Sequence, residues 1–102
     1  MSKFEDSVCQ ALKLIPKGKV TTYKILAAYL NRPKAARAVG NALHKNSDPV
    51  TMPCYKVVKS DGHLGGYASG IAKKIDLLKA DGIIVKNNKI INLAQHLYSF
   101  KR

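Results

Sequence analysis

The sequence predicts a mainly α, winged helix-turn-helix-like single domain carrying a small β-hairpin. Three observations point there. Apolar residues recur at helical spacing in four segments, an Asn-Arg-Pro turn separates the second segment from the third, and an Asn-Asn pair divides two apolar runs near the C-terminus. A length of 102 residues leaves room for one domain.

The first helix opens with Ser2 and Glu5 in capping-box spacing and places Phe4, Val8, Ala11, Leu12 and Ile15 along one face, until Pro16 and Gly18 end it. Cys9 lies next to Val8, with acids upstream rather than bases, which suits a packing cysteine more than a reactive one. Thr22 is placed to cap a second helix with Tyr23, Leu26, Ala27 and Leu30 on one face, closed by Asn31-Arg32. Pro33 suits the first turn of a third helix, from about Lys34 to Lys45, with Ala35, Ala38, Val39 and Ala42 facing inward. Two short helices joined by a tight turn form a helix-turn-helix.

In the third helix Ala35, Ala36, Ala38 and Gly40 surround one long cation, Arg37. Recognition helices that read the major groove carry Asn, Gln and Arg; this one offers little of that. Its small side chains suit either tight packing against a neighbouring helix or close approach to a narrower groove.

After Asn46-Ser47-Asp48-Pro49, a prolyl loop is expected to run through Pro53 and Cys54 into an extended segment ending at Val57-Val58. Asp61-Gly62 and Gly65-Gly66 give a flexible loop ending at Tyr67. Ser69 is the expected cap of a fourth helix with Ile71, Ile75 and Leu78 on its apolar face, stopped by Asp81-Gly82. Ile83-Ile84-Val85 and Ile90-Ile91 around Asn87-Asn88 read as a hairpin, followed by a short tail.

The chain carries 18 Lys+Arg against 6 Asp+Glu, a formal net charge of +12. Between Lys13 and Lys59 stand ten basic residues and one acid, Asp48. Such a stretch is either a polyanion footprint, gaining affinity from counterion release, or a generally basic surface. Hydrophobic residues make up 46%, which excludes the disordered class. No apolar run has the length of a bilayer span and no secretory signal opens the chain, so a soluble, intracellular protein without membrane association is expected. Two cysteines and the scattered His44, His63 and His96 lack metal-ligand spacing, so no metal is assigned.

Cys54 is the residue whose surroundings suggest chemistry. A thiol becomes nucleophilic on ionising, and neighbouring cations favour that; Lys56 and Lys59 are close in sequence. On spacing alone a catalytic and a buried structural cysteine are equally compatible.

The segment Pro53-Cys54-Tyr55-Lys56-Val57-Val58 resembles the Pro-Cys-His-Arg-Val motif of the O6-alkylguanine-DNA alkyltransferases. Gly18-Lys19-Val20-Thr21-Thr22-Tyr23, the helix from Lys34 to Gly40, the Asn46 to Pro49 turn and the Gly66 to Gly70 loop occur in family order with family-like spacing, so the resemblance covers nearly all of the chain. It implies one alkyltransferase DNA-binding and catalytic domain over 1–102. It further implies a monomer acting on double-stranded DNA containing O6-alkylguanine, with O4-alkylthymine as a further candidate, in the cytoplasm or, in a eukaryote, the nucleus. No cofactor is implied, because the alkyl group arrives on the substrate.

By the same resemblance Cys54 is the nucleophile and alkyl acceptor, and Arg37 fills the gap left by a flipped base. Ala35, Ala36, Ala38, Gly40, Thr22 and Lys34 belong to the DNA-binding surface. Tyr23 crowds the phosphate and donates to the guanine ring. The carbonyls of Cys54 and Val57 accept from the exocyclic amine, the Ala68 N–H faces the guanine oxygen, and Tyr67 shapes the wall. Asn46 orders the active-site turn. Two departures stand out. Where the family places a His after the cysteine and a Glu that orients it, this chain has Tyr55 and Asp81, and a neutral phenol is a poor proton acceptor near neutrality. The expectation is that transfer survives but is slower. The short length also resembles the alkyltransferase-like proteins, which bind alkylated DNA without repairing it and signal to excision repair; those usually replace the cysteine by Trp, whereas Cys54 is present here.

Overall fold

The computed structural model describes residues 3–45, 53–67 and 70–100. Helix α1 spans Lys3–Leu12, with Glu5 and Asp6 in the first turn, where the positive end of the helix dipole favours them. Val8, Ala11 and Leu12 are buried, and Ile15 enters the same core from beyond the helix end. Cys9 is also buried, and its thiol pKa is raised by that burial and then by Asp6, in keeping with a packing cysteine. Ser2 of the expected capping box lies outside the described residues; Glu5 pairs with Lys45 at 3.1 Å and so ties α1 to the end of the third helix.

Strand β1 (Thr21–Thr22) leads directly into α2 (Tyr23–Tyr29). Thr22 is extended, and its hydroxyl accepts from the Ile25 N–H at 3.0 Å, the cap expected from the sequence. Thr22→Ala should therefore destabilise the fold by about 1 kcal/mol, read as a lowered urea midpoint with an unchanged m-value. Asn31 adopts a left-handed conformation (φ 62°) and turns the chain after α2.

Helix α3 spans Ala36–His44, shorter than expected at its start. Pro33 and Lys34 occupy a turn closed by the Ala35 N–H donating to the Arg32 carbonyl, so Pro33 precedes the helix rather than forming its first turn. The inward face also differs from expectation: Val39, Ala42 and Leu43 are buried, Ala35 is half-buried, and Ala38 is exposed. The buried face runs through Val39, Ala42 and Leu43 at i, i+3 and i+4.

Cys54–Lys56 form a 3₁₀ turn rather than extended chain, closed by the Val57 N–H donating to the Cys54 carbonyl. Strand β2 (Val57–Val58) then pairs in parallel with β1, Thr21 opposite Val57 and Thr22 opposite Val58. Side chains alternate across a strand. Val57 accordingly enters a core formed with α1, α2 and α3, while Val58 enters a second one with Val20, Leu64, Leu78, Ile83 and Ile90. The pair β1–β2 is the partition between the two cores, and Cys54 sits immediately beside it.

Helix α4 spans Ile71–Ala80. The expected Ser69 cap lies outside the described residues, and Gly70 occupies the N-cap position with φ 95°. Asp81 and Gly82 end the helix, with Gly82 at φ 83°. Leu78 is buried and Ile75 partly so, but Ile71 is exposed, and its expected place on the inner face is taken by Lys74. Strands β3 (Val85–Lys86) and β4 (Lys89–Ile90) form the expected hairpin, with Asn87 and Asn88 both left-handed at φ 54° and 59°. The strands are shorter than the apolar runs, leaving Ile84 and Ile91 exposed. The tail is more ordered than expected. Helix α5 (Leu93–His96) precedes Leu97, which bridges in parallel to Val20, and the Val20 N–H and carbonyl bond to His96 and Tyr98.

Candidate functional site

A cavity of about 610 Å³ opens between the outer face of α3 and the loop ending at Tyr67, and Cys54 lies on its floor. Helix α3 contributes Arg37, Gly40, Asn41 and His44; α2 contributes Tyr23; Lys59, Gly66 and Tyr67 complete the wall. Two glycines give Tyr23 its place. A Cβ on Gly65, where φ is +71°, would stand 2.9 Å from the Tyr23 hydroxyl, and one on Gly40 would stand 3.9 Å from the ring. The phenol thus passes close to two backbones that larger residues would push away.

Cys54 is 6% exposed, enough to line the cavity while remaining part of the first core. Two phenols face it. Burial raises the pKa of Tyr23, and negative charge on Cys54 raises it further. Tyr67 is raised by burial, by the same charge and by its hydrogen bond to Cys54. Both therefore stay protonated near neutrality and can donate to an anion formed in the cavity.

Tyr55 points elsewhere. Its hydroxyl donates to Asp81 Oδ2 at 3.0 Å, so the two residues paired by resemblance do meet in space. Burial and then this bond push the Tyr55 phenol well above its ordinary range, and it is not a base at physiological pH. Lys56 is buried, donates to the carbonyls of Ile15 at 2.8 Å and Pro16 at 3.1 Å, and stands 4.0 Å from Asp81. Burial lowers its pKa while Asp81 opposes that shift. Tyr55, Lys56 and Asp81 thus join the 3₁₀ turn to the end of α1 and the end of α4.

Several other expected site residues need comment. Arg37 is exposed on α3 at the cavity edge, with Ala36 and Gly40 beside it. Lys34 is exposed in the turn before α3 and outside the cavity lining. Thr22 is not a surface group: it is 2% exposed and its hydroxyl is committed to the cap. The Cys54 carbonyl closes the 3₁₀ turn, and the Val57 carbonyl already accepts from Lys74 at 2.8 Å, leaving each oxygen one further lone pair. Asn46 and Ala68 lie outside the described residues.

The residue that the sequence reading missed is Lys74. It is fully buried, and its ammonium donates to the carbonyls of Val57 at 2.8 Å, Gly66 at 3.1 Å and Leu64. The available signal was its position three residues after Ile71 and four before Leu78, on the face that should be apolar. Burial lowers its pKa to about 8, against an opposing pull from charge on Cys54.

A lysine whose folded value is lowered loses its proton earlier in the native state than in the unfolded chain. Stability from this group therefore rises with pH, starting near 8 and levelling off at the ordinary lysine value. Relative to Lys74→Met, the native chain should gain about 1 kcal/mol between pH 7.5 and 9 in urea unfolding. The comparison with the variant cancels the opposing contributions of Cys9 and the tyrosines.

Among the described residues no helix is long and apolar enough to cross a membrane. Nor does any group of three or more His, Cys, Asp or Glu among them stand together as a metal site.

The family model for the DNA-binding domain of 6-O-methylguanine DNA methyltransferase matches residues 3–83. The chain is 54% identical over 76 residues to a bifunctional methyltransferase/endonuclease of Picrophilus torridus, covering 74% of this chain and 26% of the relative. It is 44% identical over 81 residues to a methylated-DNA–protein-cysteine methyltransferase of Methanosarcina acetivorans, covering 79% and 52%. Among solved structures it resembles S. pombe Atl1 in complex with damaged DNA containing O6-carboxymethylguanine, with a TM-score of 0.83, 28% identity and 97% of each chain covered. The chain thus spans a quarter to a half of the length of these curated relatives and matches Atl1 over nearly all of both chains.

Proposed function

The chain belongs to the 6-O-methylguanine DNA methyltransferase family through its DNA-binding domain, and from that premise we propose that it repairs duplex DNA by moving an alkyl group from O6-alkylguanine to Cys54. The observation that carries this reading is the place of Cys54, on the floor of a cavity whose opposite wall is the helix bearing Arg37. A helix of small residues can lie close to the minor groove, and a long cation on it can fill the stack when a nucleotide turns out. The extruded guanine then enters the cavity, which is ample for one base. O4-alkylthymine is a further candidate substrate.

In the reaction the Cys54 thiolate attacks the alkyl carbon and forms a C–S bond. The bond from that carbon to O6 breaks, its electron pair goes to the guanine, and a proton delivered to the base leaves ordinary guanine and S-alkylcysteine. The thioether is stable, so each molecule reacts once. Tyr23 and Tyr67, both protonated, are placed to donate to the base as negative charge develops on it, while Lys34 contacts phosphate and Arg37 fills the stack. Residues 1–102 form the DNA-binding and reacting unit, acting as a monomer. In this reading Asn46 orders the turn before Cys54, and Ala68 presents its N–H to the guanine oxygen.

Tyr55 and Asp81 support a second reading. Their mutual hydrogen bond leaves no base beside the sulfur on that side, and the match to Atl1 extends over the whole domain. In that reading the protein binds alkylated DNA without transferring the group. Incubation with a duplex containing O6-methylguanine, followed by mass spectrometry of the Cys54 peptide, separates the two. One added methyl supports repair; selective binding without a methyl supports the second reading.

A further inference from the structure

We propose that His63, Lys89 and Lys86 form a second phosphate-binding surface beside the Cys54 cavity, a cationic row that holds the backbone of the same duplex that α3 engages. The proposal rests on α3 facing duplex DNA and is independent of any transfer to Cys54.

The register of three segments builds the row. His63 bridges in antiparallel fashion to Lys89, and Lys89 stands opposite Lys86 across the β3–β4 hairpin. Residues directly opposite one another in a sheet project from the same face. The neighbouring positions Leu64, Val85 and Ile90 pack in the second core, so His63, Lys86 and Lys89 project from the other side, where all three are exposed. The row adjoins the cavity. Lys59 lines the cavity wall and donates its N–H to the His63 carbonyl at 2.8 Å, so the cations run outward from the cavity in the order Lys59, His63, Lys89, Lys86. Strands about 4.8 Å apart give His63 to Lys86 a span of about 10 Å, the axial rise of about three phosphates along one DNA strand.

The charges in the row lack an internal partner. Like charges directly opposite one another destabilise a hairpin, yet β3 and β4 set Lys86 against Lys89. Asp61, the one acid in the turn and hairpin that make up this sheet, is committed to His63: its carboxylate stands 2.9 Å from Nδ1 and accepts the His63 N–H at 3.0 Å. Neither lysine enters an ion pair among the described residues. A run of phosphates supplies the missing counter-charge, and releases its own counterions in doing so. The hairpin follows the family match, which ends at residue 83, so the row adds to the α3 surface rather than belonging to it.

The test compares the full chain with Lys86→Gln/Lys89→Gln, following binding to an undamaged duplex by fluorescence anisotropy from about 50 to 200 mM salt. Each phosphate contact contributes about 0.9 to the slope of log K against log salt, so the double variant should lose about 1.8 of that slope. Its deficit relative to the parent should accordingly shrink by about tenfold across the salt range. As a control, Lys13→Gln/Lys79→Gln removes the same charge at the ends of α1 and α4 and should leave the slope within about 0.5 of the parent. The urea midpoint of the row variant should not fall, because a cross-strand repulsion has been removed.

A folded row variant with the parental slope overturns the proposal, and so does an equal loss of slope in the control, which would make net charge the cause. Aggregation of the row variant at the parental slope overturns it too, since the lysines would then serve to guard the free edge of β3. If the double variant does not fold, Lys86→Gln alone should lose about half as much slope, and an unchanged slope there counts equally against the row. The duplex in this test carries no alkyl group, so a reduced slope without methyl transfer to Cys54 rejects the repair reading and retains the row. An unmoved slope with intact transfer rejects the row alone.

Discussion

Cys54→Ala should abolish methyl transfer from O6-methylguanine duplex to the protein while leaving affinity for that duplex within about threefold. Among the described residues that line the cavity Cys54 is the one cysteine, so its loss removes the acceptor of a stable thioether rather than slowing the reaction. The residues proposed to bind DNA do not rest on the thiol: Arg37, Ala36 and Gly40 stand on the α3 wall of the cavity, and Lys34 is exposed in the turn before α3. Removing the sulfur of Cys54, a residue 6% exposed, leaves a small void in the first core, costing about 1–2 kcal/mol, so the variant should remain folded at 25 °C. Radiolabelled methyl transfer and fluorescence anisotropy on the same duplex measure the two halves of this expectation. Residual transfer to another residue would place the acceptor elsewhere.

Arg37→Ala should slow transfer by about 30-fold on duplex DNA, with a much smaller effect on alkylated single strands. Turning a nucleotide out of a duplex costs a few kcal/mol of stacking and pairing, and a cation in the vacated space recovers about 2 kcal/mol of it. A single strand has no such gap to fill. Arg37 is exposed, lies one residue after the start of α3 and has Ala36, Ala38 and Gly40 around it, so its truncation disturbs no core contact. Single-turnover rates on the two substrates make the comparison. Equal slowing on both would show Arg37 acting as a phosphate contact instead.

Much of the fold was legible because its signals are local. The Thr22 cap, the left-handed Asn87-Asn88 turn, the stop at Asp81-Gly82 and the burial of Val8, Leu12, Leu26 and Val39 each depend on residues within a turn or two of one another. The start of α3 was misplaced because Pro33 suits a first helical turn and a preceding turn equally well, and the Ala35 to Arg32 bond chooses the latter. The ordered tail was missed because Leu97 gains its bridge from Val20, at the other end of the chain.

The site divides in the same way. Cys54, its proline, the basic excess and the small-residue helix with one arginine can be read along the chain, since each is a matter of residue type and spacing. Which groups surround the sulfur cannot, because those contacts join positions 17, 26 and 41 residues apart: Lys74 to Val57, Tyr55 to Asp81, Lys56 to Ile15. In the sequence Lys56 is the cation nearest the thiol and Lys74 is one lysine among many. Packing reverses this, turning Lys56 toward the end of α1 and enclosing Lys74 against three carbonyls. Burial and partner geometry set the charge a side chain carries and where it acts, and both arise only when distant segments meet.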